Sequence, residues 1–211
     1  MNAAAVLLVI TAGFVAAVDW WAVGTKRRPV EYAAKPLTLA LLIGAALVLD
    51  PQVTARRGWF VAGLVFSLVG DVLLMLPGDL FVGGLGSFLA GHVCYIVGLS
   101  RHGGGAAALA ISGAAMVAIG IIPARRILPA ARRADPALLG PVVAYMVVIS
   151  AMVAFAAASG RALAAVGAAS FYVSDASIAW DRFVRKWSWA GTWIMVTYHL
   201  GQACLVVSLA R

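Results

Sequence analysis

Apolar segments long enough to cross a bilayer recur along this chain of 211 residues, and short polar breaks separate them. A membrane-spanning helix needs about 20 predominantly apolar residues. Eight segments have about this length, at 3–23, 33–50, 58–77, 80–100, 105–123, 138–158, 161–179 and 188–210. Because the breaks are short, consecutive helices should be antiparallel neighbours. The pattern predicts an all-α integral membrane protein, a bundle of about eight transmembrane helices in a single polytopic domain over residues 1–211.

The longest polar break, Ala124–Ala137, holds four arginines and two prolines and divides the predicted helices into two groups of four. The third helix of each group contains an aspartate that follows a glycine by eight residues. These pairs are Gly63 with Asp71 and Gly167 with Asp175. The recurrence suggests a weak 4+4 internal repeat.

The composition excludes a soluble domain. Hydrophobic residues make up 64% of the chain and charged residues 11%, with a mean hydropathy of +0.99. A soluble fold of this size could not bury that much apolar surface. The formal charge of +8 first suggests nucleic acid, but the arginines lie in short clusters between apolar runs and form no basic domain. Anionic lipid headgroups account for these clusters better, so no nucleic-acid partner is predicted.

The cysteines and the N-terminus add little chemistry. Cys94 and Cys204 both lie within apolar runs, with no second Cys or His at ligand spacing beside them. They are therefore interpreted as small buried hydrophobic residues and not as a disulfide or a metal site. Since no Lys or Arg precedes the first apolar segment, that segment is interpreted as a retained helix and not as a signal peptide.

The distribution of positive charge predicts the orientation, because cytoplasmic loops are enriched in Lys and Arg. The breaks that follow helices 1, 3, 5 and 7 hold eleven such residues: Lys26, Arg27, Arg28, Lys35, Arg125, Arg126, Arg132, Arg133, Arg182, Arg185 and Lys186. The opposite side holds five: Arg56, Arg57, Arg101, Arg161 and Arg211. The first group is predicted to face the cytoplasm, with both termini outside and Arg56-Arg57 as a contrary pair.

Asp71 and Asp175 need a functional or structural reason, because a carboxylate at the centre of a membrane helix costs about 2.5–3.5 kcal/mol on insertion scales. Both lie about thirteen or fourteen residues into their predicted helices, or about 20 Å at 1.5 Å per residue. Helices 3 and 7 run in the same direction, so the two carboxyl groups should share a depth. If the helices are neighbours, the carboxyl groups could face one another across a cavity.

Other polar side chains within the apolar segments come mainly from helices 2, 4, 7 and 8: Lys35, His92, Tyr95, Tyr172, Tyr198 and Gln202. Helices 1, 5 and 6 carry almost no interior polar groups and are predicted to be scaffold. Each side chain alone could serve only as an interhelical hydrogen-bonding partner. As a set with two carboxyl groups, one protonated and one ionised, they suit the acid/base chemistry of hydrolysis.

The same residues, in this order and spacing, resemble the YhhN-like lysoplasmalogenase family over nearly the whole chain. The matching segments are Lys35-Pro36-Leu37, Phe66 to Met75, Phe81, Gly84 to Tyr95, Gly167 to Ala176, Arg182-Phe183 and Tyr198 to Gln202. The resemblance implies an eight-helix membrane hydrolase without a metal or other cofactor. Its substrate would be a lysophospholipid, a lysoplasmalogen whose vinyl ether bond is cleaved to a fatty aldehyde and a glycerophospho-ethanolamine or -choline.

With that resemblance, Asp71 and Asp175 are the predicted catalytic residues. The supporting or substrate-binding residues are Lys35, His92, Tyr95, Tyr172, Tyr198 and Gln202. The Ala- and Arg-rich composition is typical of a high-GC bacterium, so the predicted location is the bacterial inner membrane.

Three other functions remain open on the sequence. An intramembrane aspartyl protease also pairs aspartates from two membrane helices, but the residues before Asp71 and Asp175 do not match its usual motifs. A proton-coupled transporter of small molecules or lipids would use the same buried Asp and His side chains. A purely structural membrane protein would need none of this chemistry.

Overall fold

The computed structural model describes residues 1–78, 80–101 and 104–210. Within them the chain forms the helices α1 Ala3–Gly24, α2 Arg28–Val48, α3 Thr54–Met75, α4 Phe81–Ser100, α5 Ala106–Ala134, α6 Leu139–Ala158, α7 Ala162–Ala179 and α8 Ala190–Val207. A 3-10 turn, Pro136–Leu138, leads into α6, and a π-helical turn, Trp180–Val184, continues α7. Eight helical segments of the described chain are long and apolar enough to cross a membrane. The predicted class, a multi-pass all-α membrane protein, is confirmed.

Helix α2 begins earlier than predicted, at Arg28, with a proline in its first turn. Proline is tolerated there because the first backbone N–H groups of a helix have no intrahelical partner. Lys35 therefore lies about two turns inside the helix instead of at its boundary, and Pro36 lies in the helix interior. This shift places the Lys35 side chain within the bundle, where it is 7% exposed.

Helix α5 continues to Ala134, through the stretch predicted to be a polar break. Alanine and arginine are strong helix formers, and they make up eight of the eleven residues from Ala124 to Ala134. Arg132 and Arg133 also lie in the last turn, where positive charge interacts favourably with the helix dipole. The true break is limited to Asp135 and the short turn that follows it, where the Asp135 carboxylate accepts a hydrogen bond from Ala137 N at 2.9 Å.

Consecutive helices pack as hairpins, and close glycine contacts define the two hairpins that carry the central aspartates. In α7 and α8, Gly167 and Gly201 face each other backbone to backbone. In α3 and α4, Gly91 lies against the backbone of Gly63, while Gly70 lies against the Phe88 ring. Small residues at these positions let the helix backbones approach closely, as is common in membrane bundles.

The odd-numbered helices end on the same side of the bundle. Asp71 and Asp175 each lie about one turn before the last residue of the helix, Met75 in α3 and Ala179 in α7. Both aspartates therefore lie in the part of their helices nearer the end where most Lys and Arg residues are found.

The opposite end is closed by contacts of the C-terminal segment. Gln52 N donates to Leu209 O at 3.0 Å, and the Arg161 guanidinium donates to Ala210 O at 3.0 Å. Arg56 is 1% exposed, and its guanidinium carbon lies 5.3 Å from the centre of the Phe60 ring. Arg56 is therefore part of the packed interior. Because it is not a loop residue, it need not follow the distribution of loop charges from which the orientation was predicted. Arg211, counted on this side, lies outside the described residues.

Candidate active site

A polar cavity of about 750 Å³ lies at the end of the bundle where the odd-numbered helices finish. Both Asp71 and Asp175 line it, although α3 and α7 pack mainly against α4 and α8 and not against each other. Charged side chains around its wall and mouth are Glu31, Lys35, Asp135, Asp181, Arg182 and Lys186. The sequence predicted that the carboxyl groups face one another if helices 3 and 7 are neighbours; these helices are not direct neighbours, but both aspartates line the same cavity.

Asp175 receives two polar partners from other helices. Its Oδ2 accepts a hydrogen bond from the Tyr145 hydroxyl of α6, and His92 Nε2 of α4 lies 3.2 Å from the same oxygen. The His92 nitrogen is also 2.9 Å from the Tyr145 hydroxyl, so the three side chains form a closed triangle. His92 is 0% exposed and the Asp175 side chain 9% exposed. A carboxylate with two such neighbours is held in a fixed orientation at the cavity wall.

Asp71 has a separate partner, Tyr198 of α8, whose hydroxyl donates to Asp71 Oδ2 at 2.7 Å. The two carboxyl sites are connected through Phe171. Its ring packs edge-to-face against His92 at 4.7 Å and against Tyr198 at 5.2 Å between ring centres. One aromatic side chain thus supports a partner of each aspartate, so the relative position of the two sites is fixed by core packing.

Lys35 lies among carboxylates rather than alone. Its ammonium group forms an ion pair with Glu31 at 2.9 Å and is close enough to Asp19 and Asp71 for electrostatic interaction. Asp19 is 0% exposed, and neither of its oxygens has a hydrogen-bond partner among the residues described. Lys35 is therefore a cation whose charge acts on the buried Asp19 carboxyl group, although its ion pair is with Glu31.

The remaining predicted residues lie outside the wall of this polar cavity. Tyr95 and Gln202 are fully buried and bind each other, with the Tyr95 hydroxyl donating to Gln202 Oε1 at 2.6 Å. This bond connects α4 to α8 behind the aspartates. Tyr172 lies beside Asp175 in a different, apolar region, with its hydroxyl close to the Ser150 side chain.

That apolar region, here called the apolar pocket, opens from the polar cavity and has a volume of about 50 Å³. The two spaces share Asp175 and the aromatic side chains of Phe81 and Phe88. Beyond them the pocket is lined by apolar residues such as Leu85, Val142 and Ile149. Asp175 therefore stands at the boundary between a charged space and an apolar one.

Two residues of the site, Tyr145 and Asp19, were not predicted from the sequence. Because they lie in α6 and α1, the expectation that helices 1 and 6 are only scaffold is wrong. Tyr145 was the sole tyrosine of α6, which is a signal that could have been used. Asp19 lies five residues before the end of α1, a position typical of a solvated boundary. The indole N–H of neighbouring Trp20 donates to His199 Nδ1 at 3.0 Å and connects α1 to α8.

Within the described parts of the chain, no group of three or more His, Cys, Asp or Glu side chains is arranged to hold a metal ion. Asp71 and Asp175 each bind polar side chains of other helices, as in the Asp175 triangle.

Comparison with known sequences shows that most of the helices that form this site match a protein family. A profile of the YhhN family matches residues 30–209, from the start of α2 to the C-terminal segment. The chain belongs to the YhhN family. The profile match covers all helices of the site except α1, which contributes Asp19 and Trp20.

Curated relatives of this YhhN-family chain carry names that state an activity. "Lysoplasmalogenase" of Mycobacterium bovis is 35% identical over 176 residues, covering 76% of this chain and 66% of the relative. "Lysoplasmalogenase TMEM86B" of Homo sapiens is 31% identical over 150 residues, covering 70% of this chain and 62% of the relative. The match thus spans slightly under two thirds of the length of each relative. No solved structure shows significant similarity.

Proposed function

We propose that this YhhN-family protein is a membrane-embedded lysoplasmalogenase. It would hydrolyse the vinyl ether bond of a lysoplasmalogen to a fatty aldehyde and a glycerophospho-ethanolamine or -choline. The observation that carries the proposal is that Asp71 and Asp175 line one polar cavity, with Asp175 at its boundary with an apolar pocket. A lysolipid has the same division, with its ether bond between a charged headgroup and an apolar chain. The names of the relatives point to the same reaction.

The first step needs an acid and a base on either side of the bond. One aspartic acid donates its proton to the outer carbon of the vinyl ether, which gives an oxocarbenium ion, and is left as a carboxylate. The second aspartate takes a proton from water as the water oxygen bonds to the carbon next to the ether oxygen. Two negatively charged groups in a water-poor site stabilise the cation strongly. The product of this step is a hemiacetal.

The second step restores both groups. The first carboxylate removes the proton of the hemiacetal hydroxyl, while the protonated second aspartate returns its proton to the glycerol oxygen. The carbon–oxygen bond breaks, and aldehyde and alcohol leave. Each aspartate ends in the protonation state in which it began, so Asp71 and Asp175 can share the cycle without another proton donor. Tyr145, His92 and Tyr198 hold the two carboxyl groups in position through the contacts described above.

The headgroup would occupy the polar cavity. Its phosphate can reach Lys35 on the wall or Arg182 and Lys186 at the mouth, and its amine can reach Glu31, Asp135 or Asp181. Lys35 is already paired with Glu31, so we assign it to the inner part of the headgroup site and the other two cations to the outer part. With the termini outside, this mouth faces the cytoplasm, and the protein belongs to the bacterial inner membrane.

A panel of lysolipids incubated with the purified protein tests the reaction. Mass spectrometry should detect fatty aldehyde from alkenyl lysolipids and no fatty acid from acyl lysolipids of the same headgroup. In deuterated water the aldehyde should gain one deuterium on the carbon next to its carbonyl, because that carbon is protonated by the enzyme. Release of fatty acid, or aldehyde without the label, would exclude this mechanism.

Tyr145→Phe removes the hydroxyl that donates to Asp175 and keeps the ring. A hydrogen bond to a charged group is worth about 1.5–3 kcal/mol, so kcat should fall about 10- to 100-fold. The measurement is the initial rate of aldehyde release at saturating lysolipid. Tyr32→Phe is the matched control, since Tyr32 is exposed and its hydroxyl donates to the Met75 carbonyl at 3.1 Å, away from both aspartates. Equal rates for the two variants would show that Tyr145 does not support Asp175 in catalysis.

A further inference from the structure

The apolar pocket beside Asp175 is too small to hold the chain of a lipid. Its volume is about 50 Å³. An apolar cavity of about 150 Å³ is what a single benzene ring occupies in a protein interior. Only the first carbon atoms of a chain therefore fit next to Asp175, and the rest must continue elsewhere. Placing the rest of the chain in the polar cavity would leave its methylene groups beside charged side chains, which is unfavourable for each group left unburied.

A second apolar space lies close by on the bilayer side of the bundle. It is a groove of about 530 Å³ between α5 and α6, here called the lipid-facing groove. Side chains such as Val117, Ile121, Val143 and Val147 line it. Val117 and Val147 are also strongly exposed, at 67% and 63%. In a membrane these side chains face hydrocarbon, so the groove offers an apolar chain the environment that the pocket cannot.

The wall between the pocket and the groove is one side chain thick. Met146 of α6 lines both spaces. Two adjacent residues of α5 line different spaces: Ile127 lines the pocket, and Leu128 lines the groove. Methionine is unbranched and adapts readily to irregular gaps, so its side chain can move aside at low cost.

Helix α5 is suited to part from α6 at this level. Its interior contains Pro123 and Pro129, each of which removes a backbone hydrogen bond of the helix. Few of its residues are buried, namely Met116, Ile127, Ala130 and Ala131. A helix with little buried surface and two missing bonds opens locally more easily than its neighbours do.

We propose that the chain of the lysolipid substrate runs from Asp175 through the apolar pocket, past Met146, into the lipid-facing groove. The substrate then enters sideways from the bilayer between α5 and α6, with its headgroup in the polar cavity. Met146 is the residue that sets which chains reach the reacting bond. This route rests on the proposed lysoplasmalogenase activity and adds to it the position of the chain.

Met146→Trp tests the route with two alkenyl lysolipids of the same headgroup. One has a chain that ends within the pocket, and the other has a chain that spans a bilayer leaflet of about 15 Å. The variant should lower kcat/KM for the long chain tenfold or more relative to kcat/KM for the short chain, since Met146 lines both spaces and only the long chain must pass it into the groove. Retained activity on the short chain also shows that the variant is folded. Ile122→Trp, on the exposed face of α5 at 72% exposure, should leave both substrates unaffected.

A binding measurement tests the position of the substrate chain independently of the hydrolysis reaction. An alkyl lysolipid with a photoreactive group at its chain end, which carries no vinyl ether, should crosslink to peptides containing Leu128 or Val147 in the wild type and much less in Met146→Trp. Crosslinking there without aldehyde release from any lysolipid would reject the proposed function and keep the chain route. Aldehyde release with equal loss on both chain lengths, or with no loss on either, would reject the route.

Discussion

Asp71→Asn and Asp175→Asn should each reduce aldehyde release by about 100-fold or more, since each removes a group that exchanges a proton with the substrate. Asparagine keeps the shape of the side chain. Its oxygen can still accept the bond that Tyr198 donates to Asp71 or that Tyr145 donates to Asp175. The loss should therefore appear in kcat, with little change in the affinity for lysolipid. Initial rates measured over a range of lysolipid concentrations give both quantities.

The double variant should be little worse than either single variant, because the two groups act in one cycle and their effects are not additive. Asp50→Asn serves as the control, since Asp50 is exposed in the break between α2 and α3. Near-wild-type turnover in both folded single variants would rule out the acid/base pair. Loss of turnover in one variant alone would assign the chemistry to that aspartate and leave the other as a structural residue.

Gly167→Ala should destabilise the protein severely by separating α7 from α8. A Cβ atom at Gly167 would lie 2.8 Å from Gly201 O and 2.9 Å from Leu205 N, and neither backbone atom can rotate away. Overpacking typically costs about 1–3 kcal/mol, and a clash of backbone with backbone lies at the upper end of this range. We expect a clear fall in the thermal unfolding temperature of the protein in detergent. Activity should fall with it, because α7 carries Asp175 and α8 carries Tyr198.

Gly13→Ala is the matched control within the same fold. Nothing lies within 4 Å of a Cβ atom at Gly13, and alanine is favoured over glycine in a helix interior by about 0.8–1.0 kcal/mol. This variant should be as stable as the wild type or slightly more so. Gly70→Ala should fall between the two, since the Cβ atom would meet the Phe88 ring, which is a side chain and can shift. An unchanged unfolding temperature for Gly167→Ala would mean that the two helices do not pack as closely as described.

The two central aspartates could be found in the sequence because the membrane makes them conspicuous. A carboxyl group inside a long apolar run is so costly that it marks either an ion pair or a site. The repeated spacing from glycine to aspartate indicated that the two aspartates occupy corresponding positions in their helices. In the structure, the two glycines are contact points with the next helix. The depth of the two residues followed from helix length alone, since a helix in a bilayer has little freedom to slide.

The partners of the aspartates could not be derived in the same way. Tyr145 stands in a helix whose apolar residues surround it on all sides, so periodicity does not show which way it faces. Asp19 is near a helix end, where a carboxylate normally reaches water. Only the packing of α1 against α2 and α8 removes it from water and places it near Lys35. Tyr95 and Gln202, by contrast, were expected at the site and lie behind it, bound to each other.

The hydrophobic pattern by itself determined the eight helices and the membrane class, and it predicted a shared depth for Asp71 and Asp175. It could do so because a chain in hydrocarbon must satisfy its backbone hydrogen bonds within each span, which leaves few structures to choose from. The tertiary structure alone decided which side chains meet. The rotation of each helix about its axis and the choice of its neighbours depend on side-chain packing between segments far apart in the chain. That packing brings Tyr145 and His92 to Asp175 and Tyr198 to Asp71.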